Sequence, residues 1–153
     1  MGLRDIRAVI CRAVKEAPHP NNWGENDFMR SEIEGLITDA KWYYVYDAIE
    51  LFSQKLPADK YMDFESELNC YFIEKGISWQ LKNKVIELRG EEAFEVILEC
   101  AKEVLDAAEV PTSANEIKEA IKDLSRRPDP EITGAIQHSV AALECLSHKV
   151  TGE

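Results

Sequence analysis

The spacing of apolar residues along most of the chain repeats at the helical period. Leu3, Ile6, Val9, Ile10, Ala13, Val14 and Ala17 fall on one face, with Arg4, Arg7, Arg12 and Lys15 on the opposite arc. That basic arc reads as a solvated helix face, with a phosphate or partner site as the functional alternative. The stretch PHPNNWGEN interrupts the pattern, and Asn26 is the expected N-cap of a second helix, with Asp27 in its first turn. Its buried stripe is expected to be Phe28, Met29, Ile33, Leu36 and Ile37. In KWYYVYDAIELF, Trp42, Val45, Tyr46, Ile49 and Phe52 share a face, while Tyr43 and Tyr44 lie off it. An aromatic stripe at this spacing is core before it is a base-stacking platform. Pro57 ends that helix, and Phe64, Leu68, Tyr71 and Phe72 mark the next, which Gly76 closes as a C′ residue.

The period then changes from 3.6 to 2. In GISWQLKNKVIELRG, a two-residue turn at Asn83-Lys84 sets Leu81 opposite Ile86 and Trp79 opposite Leu88, which predicts a hairpin over Ile77–Arg89. A lone hairpin is marginal in water, so this one must lie on helices. Helical spacing resumes from Glu91 to about Ala108, with Phe94, Ile97, Leu98, Ala101 and Leu105 expected inside. After Pro111, SANE reads as a capping box of Ser113 and Glu116. The helix that follows carries Ile117, Ala120, Ile121 and Leu124 and stops at RRPDP. The last helix, capped by Thr133 or Asp129, bears an apolar seam of Ile136, Val140, Leu143, Leu146 and Val150. The expected fold is mainly α: a single compact domain over residues 1–153, with about six or seven helices and one small β-hairpin insertion.

Charge narrows the function. The chain carries 29 acidic and 18 basic residues, for a formal net charge of −11. Such a surface repels phosphates and disfavours nucleic acid and anionic membranes, except through the Arg4, Arg7, Arg12 and Lys15 face. Cys11, Cys70, Cys100 and Cys145 stand far apart without a C-x-x-C pair, so four buried, reduced thiols are expected, with no metal site and no cofactor. The charged amino terminus is no signal peptide and no apolar run reaches membrane-span length, which points to the cytoplasm.

The stretch LSRRPDPEITGAIQHSVAALECLSHKVTGE combines arginines with His138 and His148, the equipment of a metal-independent ribonuclease. Arg126 and Arg127 also suit a helix C-terminus, where cations meet exposed carbonyls. His138 lies almost opposite the apolar seam and reads as an exposed residue. His148 points about 80° away from it and pairs at i, i+4 with Glu144. A helix break separates the arginines from His138, and nothing in the sequence makes them converge, as acid–base cleavage of RNA would require. No Gly-rich phosphate loop, H-E-x-x-H or G-x-S-x-G is present.

Three stretches, KWYYVYDAIELF, ELNCYFIEKGISWQLKNKVIELRGEEAF and DLSRRPDPEITGAIQHSVAALECLSHKVTG, resemble the N-terminal domain of AbiJ-type bacterial abortive-infection proteins, a group allied to HEPN proteins. The likeness runs from about Trp23 to Gly152. It implies a mostly helical fold with a small hairpin and a role in antiphage defence. HEPN relatives that cleave RNA carry a close R-x(4–6)-H motif, which this chain lacks. The resemblance places an arginine–histidine pair downstream of the segment matching Ala135–Gly152. The chain is therefore expected to be either the first part of a longer protein with a HEPN-like segment or a short member. Positions carried over as parts of the shared pattern, not as catalytic groups, are Asn69, Trp79, Arg89, Arg126, Arg127, His138 and Glu144. Trp79 has a packing role in the hairpin, and Glu144 has the arginines of the turn as a second candidate partner.

Three functions compete. The first is a non-catalytic sensing or interaction domain that docks on a protein effector, or on a second copy as a homodimer, through the Ile136–Val150 seam or its neighbours. The second is a metal-independent HEPN-type ribonuclease using Arg126 or Arg127 with His138. The third is an acidic inhibitor that mimics nucleic acid.

Overall fold

The computed structural model describes residues 2–20, 26–107 and 111–151. It contains α1 (Leu3–Val14), α2 (Asn26–Asp39), α3 (Trp42–Lys55), α4 (Ala58–Glu74), β1 (Trp79–Lys82), β2 (Val85–Leu88), α5 (Glu92–Ala107), α6 (Pro111–Leu124) and α7 (Ile132–Thr151). Among the described residues, seven helices and one two-stranded hairpin make the mainly α architecture expected from the periodicity. Residues 21–25 and the helix end expected near Ala108 lie outside the described residues. The chain divides into two units, Met1–Tyr71 with Leu81–Ile86, and Phe72–Gln80 with Glu87–Glu153.

In the first unit, α1 packs on α2 and α3. Its buried face is Val9, Ile10, Cys11 and Ala13, and α2 adds Met29 and Ile33. Phe28 and Ile37 were expected in that stripe, but they are 39% and 40% exposed. The basic arc of α1 is not simply solvated either. Arg7 Nε lies 2.6 Å from Glu32 Oε2, and its guanidinium also donates to the His19 carbonyl at 3.2 Å. His19 N–H donates to Glu32 Oε1 at 2.7 Å. Burial pulls the Glu32 carboxyl upward, but the His19 N–H and the Arg7 guanidinium outweigh it and hold the group below its ordinary range.

On α3, Trp42 is exposed while Val45, Tyr46, Ile49 and Phe52 are half-buried, and Phe52 meets Phe64 of α4 at 5.2 Å between ring centroids. The buried Ser53 hydroxyl donates to the Ile49 carbonyl, so it leaves no polar atom stranded. Helix α4 ends as expected at Gly76. Its φ of +66° admits the left-handed residue of a Schellman motif, in which Gly76 N–H donates to Ile73 O and Ile77 N–H to Phe72 O.

The hairpin has the expected turn. Asn83 and Lys84 both take positive φ, 51° and 66°, as a type I′ turn requires, even though lysine is a poor resident of the second place. Leu81 and Ile86 are sealed at 0% and 1% exposure, whereas Trp79 is half-buried and Leu88 is exposed. In a two-residue hairpin, residues 81, 86 and 88 turn their backbone groups away from the partner strand. Side chains take those groups up. Asn69 Nδ2 donates to Leu81 O at 2.8 Å, and Asn69 Oδ1 accepts from Leu81 N at 2.7 Å. Glu50 accepts from Ile86 N, Ser125 Oγ from Leu88 N, and Tyr61 Oη from Lys84 N. Both edges are thus blunted against pairing with another strand.

In the second unit α6 and α7 form an antiparallel helical pair, and α5 contributes Leu105 to a small cluster with Ala114 and Ile117. Three sequence expectations need correction here. Phe94 and Ile97 of α5 are 54% and 67% exposed instead of buried. Ser113 and Glu116 form no capping box, because the helix already begins at Pro111, whose fixed φ and missing N–H suit the first position. The cap of α7 is Glu131, whose carboxylate accepts from Gly134 N–H at 3.3 Å, and not Thr133 or Asp129.

All four cysteines are free, as expected, but only Cys11 is buried. Burial first, and then the Glu32 carboxylate, push its thiol up and away from the reactive thiolate. Cys70 and Cys100 are exposed and Cys145 is half-buried. A thiol-specific reagent should therefore titrate Cys70 and Cys100 quickly in the native protein and Cys11 last. The denatured chain should return four thiols. Protection of Cys70 or Cys100 comparable to that of Cys11 would contradict this burial pattern.

Candidate functional site

Helix α6 presents Glu116, Ala120 and Asp123 at i, i+4 and i+7, one stripe of its surface. Helix α7 presents Ala135, His138 and Ala142, and both alanines are buried. Small residues on both sides let the backbones approach closely, and the polar groups meet in the space left. His138 Nδ1 lies 2.6 Å from Glu116 Oε2, and His138 Nε2 lies 3.7 Å from Asp123 Oδ2. Asp123 is 5% exposed and also receives the Arg126 guanidinium on Oδ1 at 3.0 Å. A Cβ built on Gly134 would run into Asp123 Oδ2, so only glycine lets α7 start so close to this carboxylate.

Asp123 also organises the turn between the helices. Its carbonyl accepts from Glu131 N at 2.9 Å and from Arg126 N at 3.3 Å, closing RRPDP back onto the end of α6. The Arg127–Pro128 peptide in this turn is cis. Arg127 itself turns elsewhere, with its guanidinium 5.9 Å above the Trp79 ring. One residue therefore links Arg126 to His138, a convergence the sequence did not suggest. His138 is about one-third exposed at its side chain and is not the solvent-facing residue expected from the helical wheel.

The electrostatics of the cluster are acidic. The hydrogen bond to Glu116 is the main influence raising His138 above the ordinary histidine range; burial opposes it next, and the charges of Glu116, Asp123 and Glu119 add smaller upward pushes. Glu119 is itself paired to Lys122 at 2.8 Å. A carboxylate near each ring nitrogen favours the charged form of the histidine, and that form bridges two acids of α6 from α7. Because its folded pKa is raised, the stability it contributes is complete below the unfolded value of about 6.5 and is lost as pH climbs through the folded one. Wild type should therefore exceed His138→Gln in Tm by more at pH 5.5 than at pH 8.5. An equal gap at both pH values would remove the charged histidine from this account.

The other pattern residues are distributed as follows. Asn69 holds the edge of β1, and Trp79 packs under Arg127. Arg89 closes the base of the hairpin, its N–H on Ser78 O and its guanidinium on Ile77 O at 3.2 Å. Glu144 is exposed and pairs with neither His148 nor an arginine of the turn, against the expectation. The missed partners, Glu116 and Asp123, had one sequence signal: an acid at each end of a small-residue stripe in α6, facing a helix with a matching small stripe around His138.

The seam that reads as core from the sequence is on the outside. Ile136, Val140, Leu143, Leu146 and Val150 are 59%, 48%, 67%, 36% and 78% exposed. They lie on the arc away from α6, which makes them an unpartnered apolar face of α7. No helix among the described residues is long and apolar enough to cross a membrane. No group of three metal-binding side chains occurs among them either.

A sequence model of AbiJ N-terminal domain 4 matches residues 3–104, about two thirds of the 153 residues. The chain belongs to the AbiJ N-terminal domain 4 family. Membership of the AbiJ family implies an abortive-infection, antiphage context. The AbiJ match spans α1 through the hairpin and most of α5, so Asn69, Trp79 and Arg89 lie inside it, whereas Arg126, Arg127, His138 and Glu144 lie beyond it. No curated protein and no solved structure matches the chain.

Proposed function

We propose that the chain is a non-catalytic sensing and interaction domain of an antiphage abortive-infection system, docking on a protein effector through the exposed arc of α7. The observation that carries this reading is the apolar face from Ile136 to Val150. Five large aliphatic side chains stand at heptad-like spacing on a helix whose opposite arc is already committed to α6. Residues 132–151 hold one acid and one lysine, so this face is close to neutral on a chain of net charge −11. A protein partner can approach there without the repulsion that the rest of the surface imposes.

The ribonuclease reading has one observation in its favour, the meeting of Arg126 and His138 at Asp123. The same geometry weighs against it. Arg126 is engaged with a carboxylate, both His138 nitrogens face carboxylates, and Glu116, Glu119 and Asp123 surround the place a phosphate would have to enter.

The test pairs two assays. Ile136→Asp with Leu143→Asp should leave the far-UV spectrum and Tm near wild type but abolish protection of cells expressing the defence system against phage. Purified protein, with or without EDTA, should leave structured and single-stranded RNA intact. Protection that survives the double substitution would sink the docking reading. Cleavage that persists in EDTA but vanishes in both Arg126→Ala and His138→Ala would install the ribonuclease in its place.

A further inference from the structure

The first unit contains a cleft of about 660 Å³, within the range of small-molecule sites. Its apolar lining comes from Val14, Ala17, Leu36 and Ala40, with the rings of Phe28 and Tyr44 beside them. Among the described residues, the acids of the lining are Glu16, Glu32 and Asp39, against Lys41 as the ammonium cation. Glu32 is neutralised by Arg7 and fixed by His19 N–H, which leaves the exposed carboxylates of Glu16 and Asp39 for whatever enters.

Gly35 supplies a second, independent observation. It sits in the interior of α2, where glycine is less stabilising than alanine. No packing among the described residues demands it, since a Cβ built there meets nothing within 4 Å. Its missing side chain instead keeps the cleft wall open on the α2 side. Helix α2 thus forgoes some stability at a wall position that leaves the cleft open.

We propose that this cleft is a binding site for a small organic cation with an apolar or aromatic body, an arylalkyl amine in chemical class. The aromatic and aliphatic lining takes the body, and Glu16 and Asp39 take the ammonium group. The face of Tyr44 already attracts a cation, with Lys15 Nζ 5.4 Å from its centroid. A phosphorylated ligand is disfavoured by the same carboxylates and by the net charge. The site deepens the sensing half of the proposed function and rests on that half alone. Its failure would leave the α7 docking experiment standing, because the substitutions lie on different helices.

Phenethylamine and phenylacetate, matched in body and opposite in charge, serve as probes of the full chain by amide NMR. Phenethylamine at millimolar concentration should shift the amides of Gly35, Asp39 and Tyr44 saturably, and phenylacetate should not. Gly35→Leu, which fills the cleft from a position with free space, should abolish those shifts at a Tm no lower than wild type. Glu16→Gln combined with Asp39→Asn, both exposed, should weaken the amine at least tenfold. The proposal is overturned if phenethylamine gives no saturable shift, if phenylacetate binds as well, or if amine binding survives the doubly neutralised variant.

Discussion

Asp123→Ala is expected to lower the stability of the protein by about 2 kcal/mol at pH 7, read by urea denaturation followed by far-UV circular dichroism. The carboxylate is 5% exposed and binds Arg126 at 3.0 Å, with His138 Nε2 3.7 Å from its other oxygen. Breaking a fully buried ion pair costs about 3–5 kcal/mol, but here the orphaned partners reach water. Arg126 is 57% and His138 35% exposed at the side chain, which reduces the penalty. Asp123→Asn keeps the shape and one acceptor and should cost less. Because Arg126 and His138 both act through Asp123, their substitutions should combine with Asp123→Ala less than additively in a double-mutant cycle. Full additivity would mean that the three groups are neighbours without being a network.

The cluster also shows where sequence reading succeeds and where it stops. The hairpin was legible because alternation of period 2 and a two-residue turn are local signals, and Gly76 announced the end of α4 for the same reason. Most helices followed from their apolar spacing. The inward arc of α7 did not. Hydrophobic spacing measures how much apolar surface an arc offers, not what stands opposite, so Ile136, Val140 and Leu143 looked like core. The neighbour that α7 actually has, α6, offers Ala120 and two acids, and it selected the arc of Ala135, His138 and Ala142. Asp123 was illegible for a related reason. Among 29 acidic residues, nothing local marks the one that loses its water when two helices close over it. Phe94 and Ile97 repeat the lesson on α5, where that part of the expected stripe lies open while Leu105 is buried.

Asn69→Ala should be the most damaging polar substitution in the first unit, costing about 3 kcal/mol. Leu81 is fully buried, and its N–H and C=O both point away from β2 in the hairpin register. The Asn69 carboxamide meets both, donating at 2.8 Å and accepting at 2.7 Å, and so replaces the strand that is missing on that edge. Alanine leaves two backbone groups unpaired in a place water does not reach, at about 1–3 kcal/mol each, partly offset by relaxation. Asn69→Asp separates the two bonds: it retains an acceptor for Leu81 N–H but sets a carboxylate oxygen against the Leu81 carbonyl. Hydrogen exchange at the Leu81 amide gives a local reading that global unfolding does not. Protection there should collapse in the alanine variant, while the Lys84 amide, held by Tyr61 Oη, changes less. If the Leu81 amide in Asn69→Ala exchanged as slowly as in wild type, the carboxamide would not be what secures the hairpin edge.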